Sequence, residues 1–267
     1  MIIQPFSYFG QPVTAGGAGF IIRPDVYASS VTVAIPGTQF GSTFGQTDFR
    51  SDISGYINGG TSLTNAQIPL TGSGQTTSTS TNFPTVPYGT SMERTDDSNM
   101  GSITGSLSNV QFGSDDFTVE GWFNTASTGD NFVGFGYTNG ITAGWGFLCR
   151  QGTLAGGRIR WVAANASNSE VVGDFTVALT ANAWVHIAFS RSGNTWYGAY
   201  NGFIRKLITL SGAVGTSAPT EICGRSPDGA GNPTARYQDF RITKGVARYT
   251  GTLNQAYTIP ESIVMAG

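Results

Sequence analysis

The chain has 267 residues, enough for one large domain or two small ones with a buried core. Charged residues make up only 11% of it, against about 25% in typical soluble domains, and Gly fills 38 positions. The net charge of −2 argues against a basic nucleic-acid binder, and with Gly so common little of the sequence favours helix. No run of about 18 apolar residues occurs, so no spanning helix is expected. The first 22 residues are uncharged and interrupted by Pro5, Pro12 and Gly16-Gly17, so no signal peptide is expected.

Residues 1–24 read as an N-terminal arm. Ile2, Ile3, Phe6, Tyr8 and Phe9 form an apolar tip, and a glycine-rich stem follows. Such a tip either packs back on its own domain or docks on a neighbouring chain, and those five residues are the candidate anchor. After Arg23-Pro24-Asp25, Val31, Val33 and Ile35 alternate with Ser30, Thr32 and Ala34, which predicts a strand. Residues 71–81 hold eight Ser or Thr in eleven positions, a surface loop or a weakly patterned edge strand.

From about residue 100 short strands follow one another. Phe117, Val119 and Gly121 face one way, and Thr118, Glu120 and Trp122 the other. Further strands are expected at 145–150, 158–163 and 171–179. Val185, Ile187 and Phe189 oppose Trp184, His186 and Ala188. Ser192-Gly193-Asn194 and Asn201-Gly202 are hairpin turns bracketing 196–200, and 203–210 returns as another strand. Strands at this spacing without a helical period predict an all-β fold, a two-sheet antiparallel jelly-roll sandwich.

Three blocks then occur in order: 112–123 (FGSDDFTVEGWF), 184–195 (WVHIAFSRSGNT) and 237–250 (YQDFRITKGVARYT). Together they resemble the laminin-G/pentraxin-like branch of the concanavalin A-like lectin and glucanase fold. The stretch DFRITKGVARYTG, with residues 21–41 at the front, resembles structural proteins of tailed bacteriophages, particularly marine and cyanobacterial ones. The resemblance implies a sandwich over 25–258, with 259–267 as a C-terminal tail. It does not imply one function, since the fold hosts lectins, hydrolases and scaffolds.

Chemistry is sparse. His186, the one histidine, has no nucleophile and orienting group around it and reads as a structural residue. Cys149 and Cys223 read as buried thiols, though they could also pair, and the chain has no zinc-ligand spacing. Asp116 and Glu120 share a strand face, but the Glu-x-Asp-x-x-Glu strand of glucan-cleaving fold-mates is absent. Asp96, Asp97 and Asn99, or Asp228 and Asn232, offer oxygen ligands for calcium without a loop spacing that would fix it. The expectation is therefore no enzyme, no cofactor and no metal. Trp145, Trp161, Trp196, Tyr197 and Tyr200 are glycan-stacking candidates by residue type and equally suit an all-β core.

Residues 1–200 carry a balance of −5 and residues 201–267 one of +3. Arg236, Arg241, Lys244 and Arg248 crowd into thirteen positions. They form either a solvated strand and turn or a basic patch that meets an acidic neighbour. The leading expectation is a non-enzymatic phage virion protein, a capsid decoration or cement protein tied by its arm to the major capsid protein or other virion proteins. It would be made in the host cytoplasm and form a homo-oligomer. The alternative is a carbohydrate-binding adhesin on a tail fibre or appendage that meets a host surface glycan; a glycan hydrolase is the weaker one. Neither nucleic acid nor membrane is expected as a partner.

Overall fold

The computed structural model describes residues 20–22, 25–35, 70–71, 75–78, 91–94, 101–103, 110–125, 131–135, 145–150, 158–164, 170–177, 180–214, 221–222, 235–259 and 264–266. Within these the chain is all-β, apart from a short 3-10 turn at Ala28–Ser30 and 3-10 backbone at Val110. The early strands are β1 (Phe20–Ile22), β2 (Val31–Ile35), β3 (Leu70–Thr71), β4 (Gln75–Ser78), β5 (Ser91–Arg94) and β6 (Gly101–Ile103). The middle strands are β7 (Phe117–Thr125), β8 (Asn131–Phe135), β9 (Trp145–Arg150), β10 (Arg158–Ala164) and β11 (Glu170–Thr176). The last are β12 (Val185–Ser192), β13 (Thr195–Tyr200), β14 (Phe203–Thr209), β15 (Glu221–Ile222), β16 (Ala235–Lys244) and β17 (Val264–Ala266).

An eight-stranded antiparallel sheet runs β14-β13-β12-β7-β16-β5-β4, with β2 also on β16. A four-stranded sheet runs β11-β10-β9-β8. The ten residues of β16 explain the branching. One edge pairs with β7, while the other is shared by β5 at Ala235–Tyr237 and β2 at Phe240–Thr243. The Ser/Thr-rich stretch supplies β4, the edge strand beyond β5. Polar side chains suit an edge because they discourage pairing with a further chain.

The core lies on one face of the large sheet. Phe117, Val119 and Phe123 of β7 are fully buried, with Ile187 and Phe189 of β12 on the same face by register. Phe112 stacks on Phe117 at 4.0 Å between ring centres, and Trp196 meets Phe117 edge-on at 5.3 Å. Burying a side chain such as Phe117 contributes roughly 2–3 kcal/mol. At one end of the sheet Arg191 donates to the carbonyls of Gly193, Gly113 and Gly212 at 2.7, 2.8 and 2.9 Å. All three glycines have positive φ, so one guanidinium ties together three left-handed turns.

Both faces of β7, β12 and β16 are buried. Thr118, Glu120 and Asn124 of β7 are as hidden as the apolar residues beside them. The physical reason is a second layer: the segment after β16, residues 245–257, folds back over the sheet. Its Tyr257 N–H bonds the Gly202 carbonyl at 2.8 Å, and Ile204 N–H bonds the Gln255 carbonyl at 2.9 Å.

The expected arm and tail are joined where they are described. Phe20–Ile22 pairs antiparallel with Val264–Ala266, so these parts of 1–24 and 259–267 form β1 and β17. Ile2, Ile3, Phe6, Tyr8 and Phe9 lie outside the described residues.

The Asn201-Gly202 hairpin forms as read, with Asn201 at φ 43° and Gly202 at φ 84°. The Asn201 side-chain oxygen also accepts from His186 N–H at 2.8 Å, and Asn201 N–H bonds the His186 carbonyl at 2.9 Å. Asn201→Ala loses one of these bonds and strains the left-handed turn. Urea unfolding should show a loss of about 1–2 kcal/mol.

Candidate functional site

The concentration of ionisable groups sits on the second face of the large sheet. Cross-strand register aligns Arg241, Glu120, Ala188, Ala199 and Ile204 in one row across β16, β7, β12, β13 and β14. Gln238, Trp122 and His186 form the next row on that face. Gln238 and Arg241 are three apart and would face opposite ways on a regular strand. A bulge corrects this: Asp239, at φ 50°, and Phe240 together oppose the single residue Gly121. The extra residue restores the parity and sets Arg241 beside Glu120.

Hydroxyl groups pin the covering segment. The Thr118 hydroxyl bonds Ser190 Oγ at 2.8 Å and donates to the Val246 carbonyl at 3.1 Å. Thr118 Oγ1 accepts from Arg248 N–H at 2.8 Å, and Ser190 Oγ from Tyr249 N–H at 3.4 Å. This brings Arg248 and Tyr249 down onto Glu120. The Glu120 carboxylate, 1% exposed, accepts a short hydrogen bond from the Tyr249 hydroxyl. Arg241 Nε and Arg248 Nε each lie 3.5 Å from its Oε1, and His186 Nε2 lies 3.3 Å from Oε2. His186 Nδ1 meets the Tyr257 hydroxyl at 2.9 Å.

Asp25 closes the network from the far end of the chain. Its Oδ2 takes a short ion pair from Arg241 and another from Arg248 at 2.8 Å. Arg248 also donates to Thr243 Oγ1 at 2.6 Å and lies over the Tyr27 ring at 4.9 Å. Two arginines face two carboxylates, so the formal charges cancel.

Burial alone would raise the Glu120 pKa, but Arg241, the His186 imidazole at 3.3 Å and Arg248 hold it well below the ordinary carboxylate range. Burial likewise opposes ionisation of Asp25, and Arg241 and Arg248 overcome it, so its pKa is lowered. Burial and then Glu120 push the Tyr249 hydroxyl well up. Burial also raises Tyr257, against a backbone hydrogen bond from Gly202. Arg241 is deprived of water, yet Glu120 and Asp25 keep it protonated at any ordinary pH.

This arrangement clamps the covering segment to the sheet. Its carboxylate is walled in by four side chains of the same chain. Asp116 does not join Glu120 as a second carboxylate of a sugar cleft; its Oδ1 accepts from Gly193 N–H at 2.7 Å.

The basic patch expected from Arg236, Arg241, Lys244 and Arg248 is corrected by these contacts. Arg236 is 8% exposed, pairs with Glu93 at 2.6 Å and reaches Asn124 Oδ1 at 3.0 Å. Arg241 and Arg248 are held by Glu120 and Asp25. Lys244, partly exposed, has Asp115 at 3.6 Å. The four therefore present no common outward surface, because carboxylates distant in sequence neutralise them.

His186 is fully buried and partnered, in keeping with a structural role. Trp196, 3% exposed against Phe117, is core. Tyr197 packs on the cluster of Ala188, Ala199, Ile204 and Tyr249. Trp145 and Trp161 occupy positions sharing a sheet face with Ile159, which is fully buried. Cys149 stands opposite Ile159 in register, and Cys223 lies outside the described residues. The calcium candidates Asp96, Asp97, Asn99, Asp228 and Asn232 also lie outside them. Among the described residues no His/Cys/Asp/Glu group of metal-holding geometry occurs.

Sequence reasoning missed Asp25, Tyr249 and Tyr257 as members of the network. Tyr249 stands inside the 237–250 block, which supplies Arg241, Arg248 and Tyr249 to one buried carboxylate.

The chain spans about half the length of the solved chains it resembles in fold. The binding domain of botulinum neurotoxin serotype C1 is 12% identical, with a TM-score of 0.55 over 81% of this chain and 49% of that one. The binding domain of botulinum neurotoxin DC, solved with rat synaptotagmin II, is 14% identical, with a TM-score of 0.54 over 81% and 48%. The same domain solved with SialylT is 14% identical, with a TM-score of 0.53 over 81% and 48%. No curated protein sequence matches the chain. The family described as the concanavalin A-like lectin/glucanases superfamily matches residues 98–248, more than half of the chain. By that match, and by an antiparallel fold with nearly no helix, the chain belongs to the concanavalin A-like lectin/glucanases superfamily.

Proposed function

We propose that the chain is a non-enzymatic virion surface protein whose sandwich recognises carbohydrate. The observation that carries the non-enzymatic part is the neutral, buried network around Glu120. Glu120, the carboxylate that shares a strand face with Asp116, is locked by Arg241, Arg248, Tyr249 and His186 instead of facing a cleft. The carbohydrate part rests on membership of a lectin-bearing superfamily. It also has the support of fold neighbours described as binding domains, one of them solved with SialylT. The virion setting rests on the resemblance of 21–41 and 239–251 to structural proteins of tailed phages.

A glycan array probed with the purified chain tests the reading. Saturable binding to a defined set of glycans, without shortening of any, is the expected result. Absence of binding to every glycan, host envelope polysaccharides included, would remove the carbohydrate part.

A second reading, capsid decoration, is favoured by the same phage resemblance. Co-sedimentation with capsids that lack the protein separates the two. An adhesin leaves bare capsids unbound, whereas a cement protein saturates their lattice.

A further inference from the structure

The covering segment reaches along the second face of the large sheet as far as His186, through the Tyr257 hydroxyl at 2.9 Å from Nδ1. Past it lies a row that the Glu120 network does not use. Register sets Glu93 of β5 beside Arg236 of β16, and Arg236 beside Asn124 of β7. Continuing the β7–β12 register one residue past Val185 sets Trp184 beside Asn124. Trp122, two residues before Asn124, shares this face and is diagonal to Trp184. Solvent reaches the sheet here. From Phe117 to Asn124 every residue of β7 is buried except Trp122, and Trp184 is likewise partly exposed ahead of the buried run of β12. The Glu93 and Arg236 side chains keep 14% and 10% of their surface.

The row is a set of hydrogen-bonding groups with one donor left over. Arg236 Nε donates to the Glu93 carboxylate at 2.6 Å, and its Nη1 donates to Asn124 Oδ1 at 3.0 Å. A guanidinium only donates, so this bond fixes which end of the Asn124 amide is oxygen. The Nδ2 end is left as a donor. Among the described residues it meets no acceptor, although Asn124 is 1% exposed. A buried donor in that state is destabilising, and an acceptor brought by a ligand would satisfy it. Trp122 is braced from below: it meets His186 edge-on at 5.4 Å, and His186 is held in turn by Tyr257 and Glu120. A braced, partly exposed indole is a preformed platform for the apolar face of a sugar ring. Glu93 and Arg236 cancel in charge yet still offer an acceptor beside a donor, and a sugar hydroxyl is both. An anionic ligand gains little here, because Glu93 already neutralises Arg236.

From this juxtaposition we infer that the Glu93–Arg236–Asn124 row, with Trp122 and Trp184 beside it, is the binding site of a neutral glycan, one pyranose ring of which stacks on Trp122. The inference deepens the carbohydrate reading above and rests on it.

The test titrates the full chain with soluble mannan, laminarin and galactan as neutral probes and polygalacturonate as the acidic one, followed by heat and by tryptophan emission. Binding of at least one neutral probe is expected, with an affinity that changes little between about 50 and 500 mM salt. Trp122→Ala should lower that affinity roughly tenfold or more, whereas Trp122→Phe, which keeps a smaller ring, should retain most of it. The emission change on binding should shrink in Trp122→Phe, because the stacked indole is gone. Glu93→Gln keeps the shape and loses the charged acceptor. It should weaken binding several-fold, and it serves as the test if Trp122→Ala does not fold. Neutral binding indifferent to Trp122→Ala and Glu93→Gln, or binding of polygalacturonate alone, overturns this site and leaves carbohydrate binding intact. Binding to none of the neutral probes likewise overturns the site. Binding to no glycan on the array either overturns the carbohydrate reading itself.

Discussion

Glu120→Gln will destabilise the protein by roughly 3–5 kcal/mol, the range for removing one partner of a buried ion pair. The network holds two positive and two negative groups, and the substitution leaves one guanidinium charge uncompensated beneath Tyr249 and His186. The shape barely changes, so the loss is electrostatic rather than a packing defect. In a domain of this size the melting temperature should drop on the order of 10 °C. Adding Arg241→Met to Glu120→Gln restores charge balance, with Arg248 still paired to Asp25. The double variant should recover part of the loss, because replacing a whole buried pair by apolar groups is often nearly neutral. Urea unfolding of the three proteins closes the cycle. A Glu120→Gln protein as stable as the parent would show that the network contributes nothing.

Acid should unfold the protein through the same groups. Glu120 and Asp25 have depressed pKa values in the folded state, so protons bind more readily to the unfolded chain. Their contribution is complete above the ordinary values of 4.5 for Glu and 3.8 for Asp, and is lost as pH falls below them toward the folded values. Stability should be flat above about pH 5 and then fall steeply as the two carboxylates take up protons on unfolding. Glu120→Gln should flatten that acid slope. Tyr249 and Tyr257 act at the other end, since their pKa values are raised by folding. Their contribution is complete below the ordinary value of 10.0 and declines as pH rises past it. Thermal unfolding across pH 2–11 reads both limbs. A parent protein with no acid limb would contradict the assignment.

Much of the fold was legible because β-strands announce themselves locally. Alternation gave β7 and β12, and Ser192-Gly193-Asn194 and Asn201-Gly202 gave the hairpins on either side of β13. The two-sided burial of those strands was not legible. Alternation sets Thr118 and Glu120 on the face opposite Phe117 and Val119, and that residues 245–257 cover that face is a long-range fact. The same holds for the basic cluster. Four cations in thirteen positions look like surface, and the carboxylate that buries Arg241 and Arg248 is Asp25, 216 and 223 residues away. A bulge at Asp239, with no glycine to flag it, decides which way Arg241 faces.

The most direct test of a carbohydrate-binding, non-catalytic sandwich is a calorimetric titration of the intact chain with the glycan giving the strongest array signal, with reducing ends measured in the same cell. The expected result is a saturating heat of binding, a glycan recovered at its original length, and no new reducing ends. A steady release of reducing ends that disappears in Glu120→Gln, in a sample shown to remain folded, would contradict it.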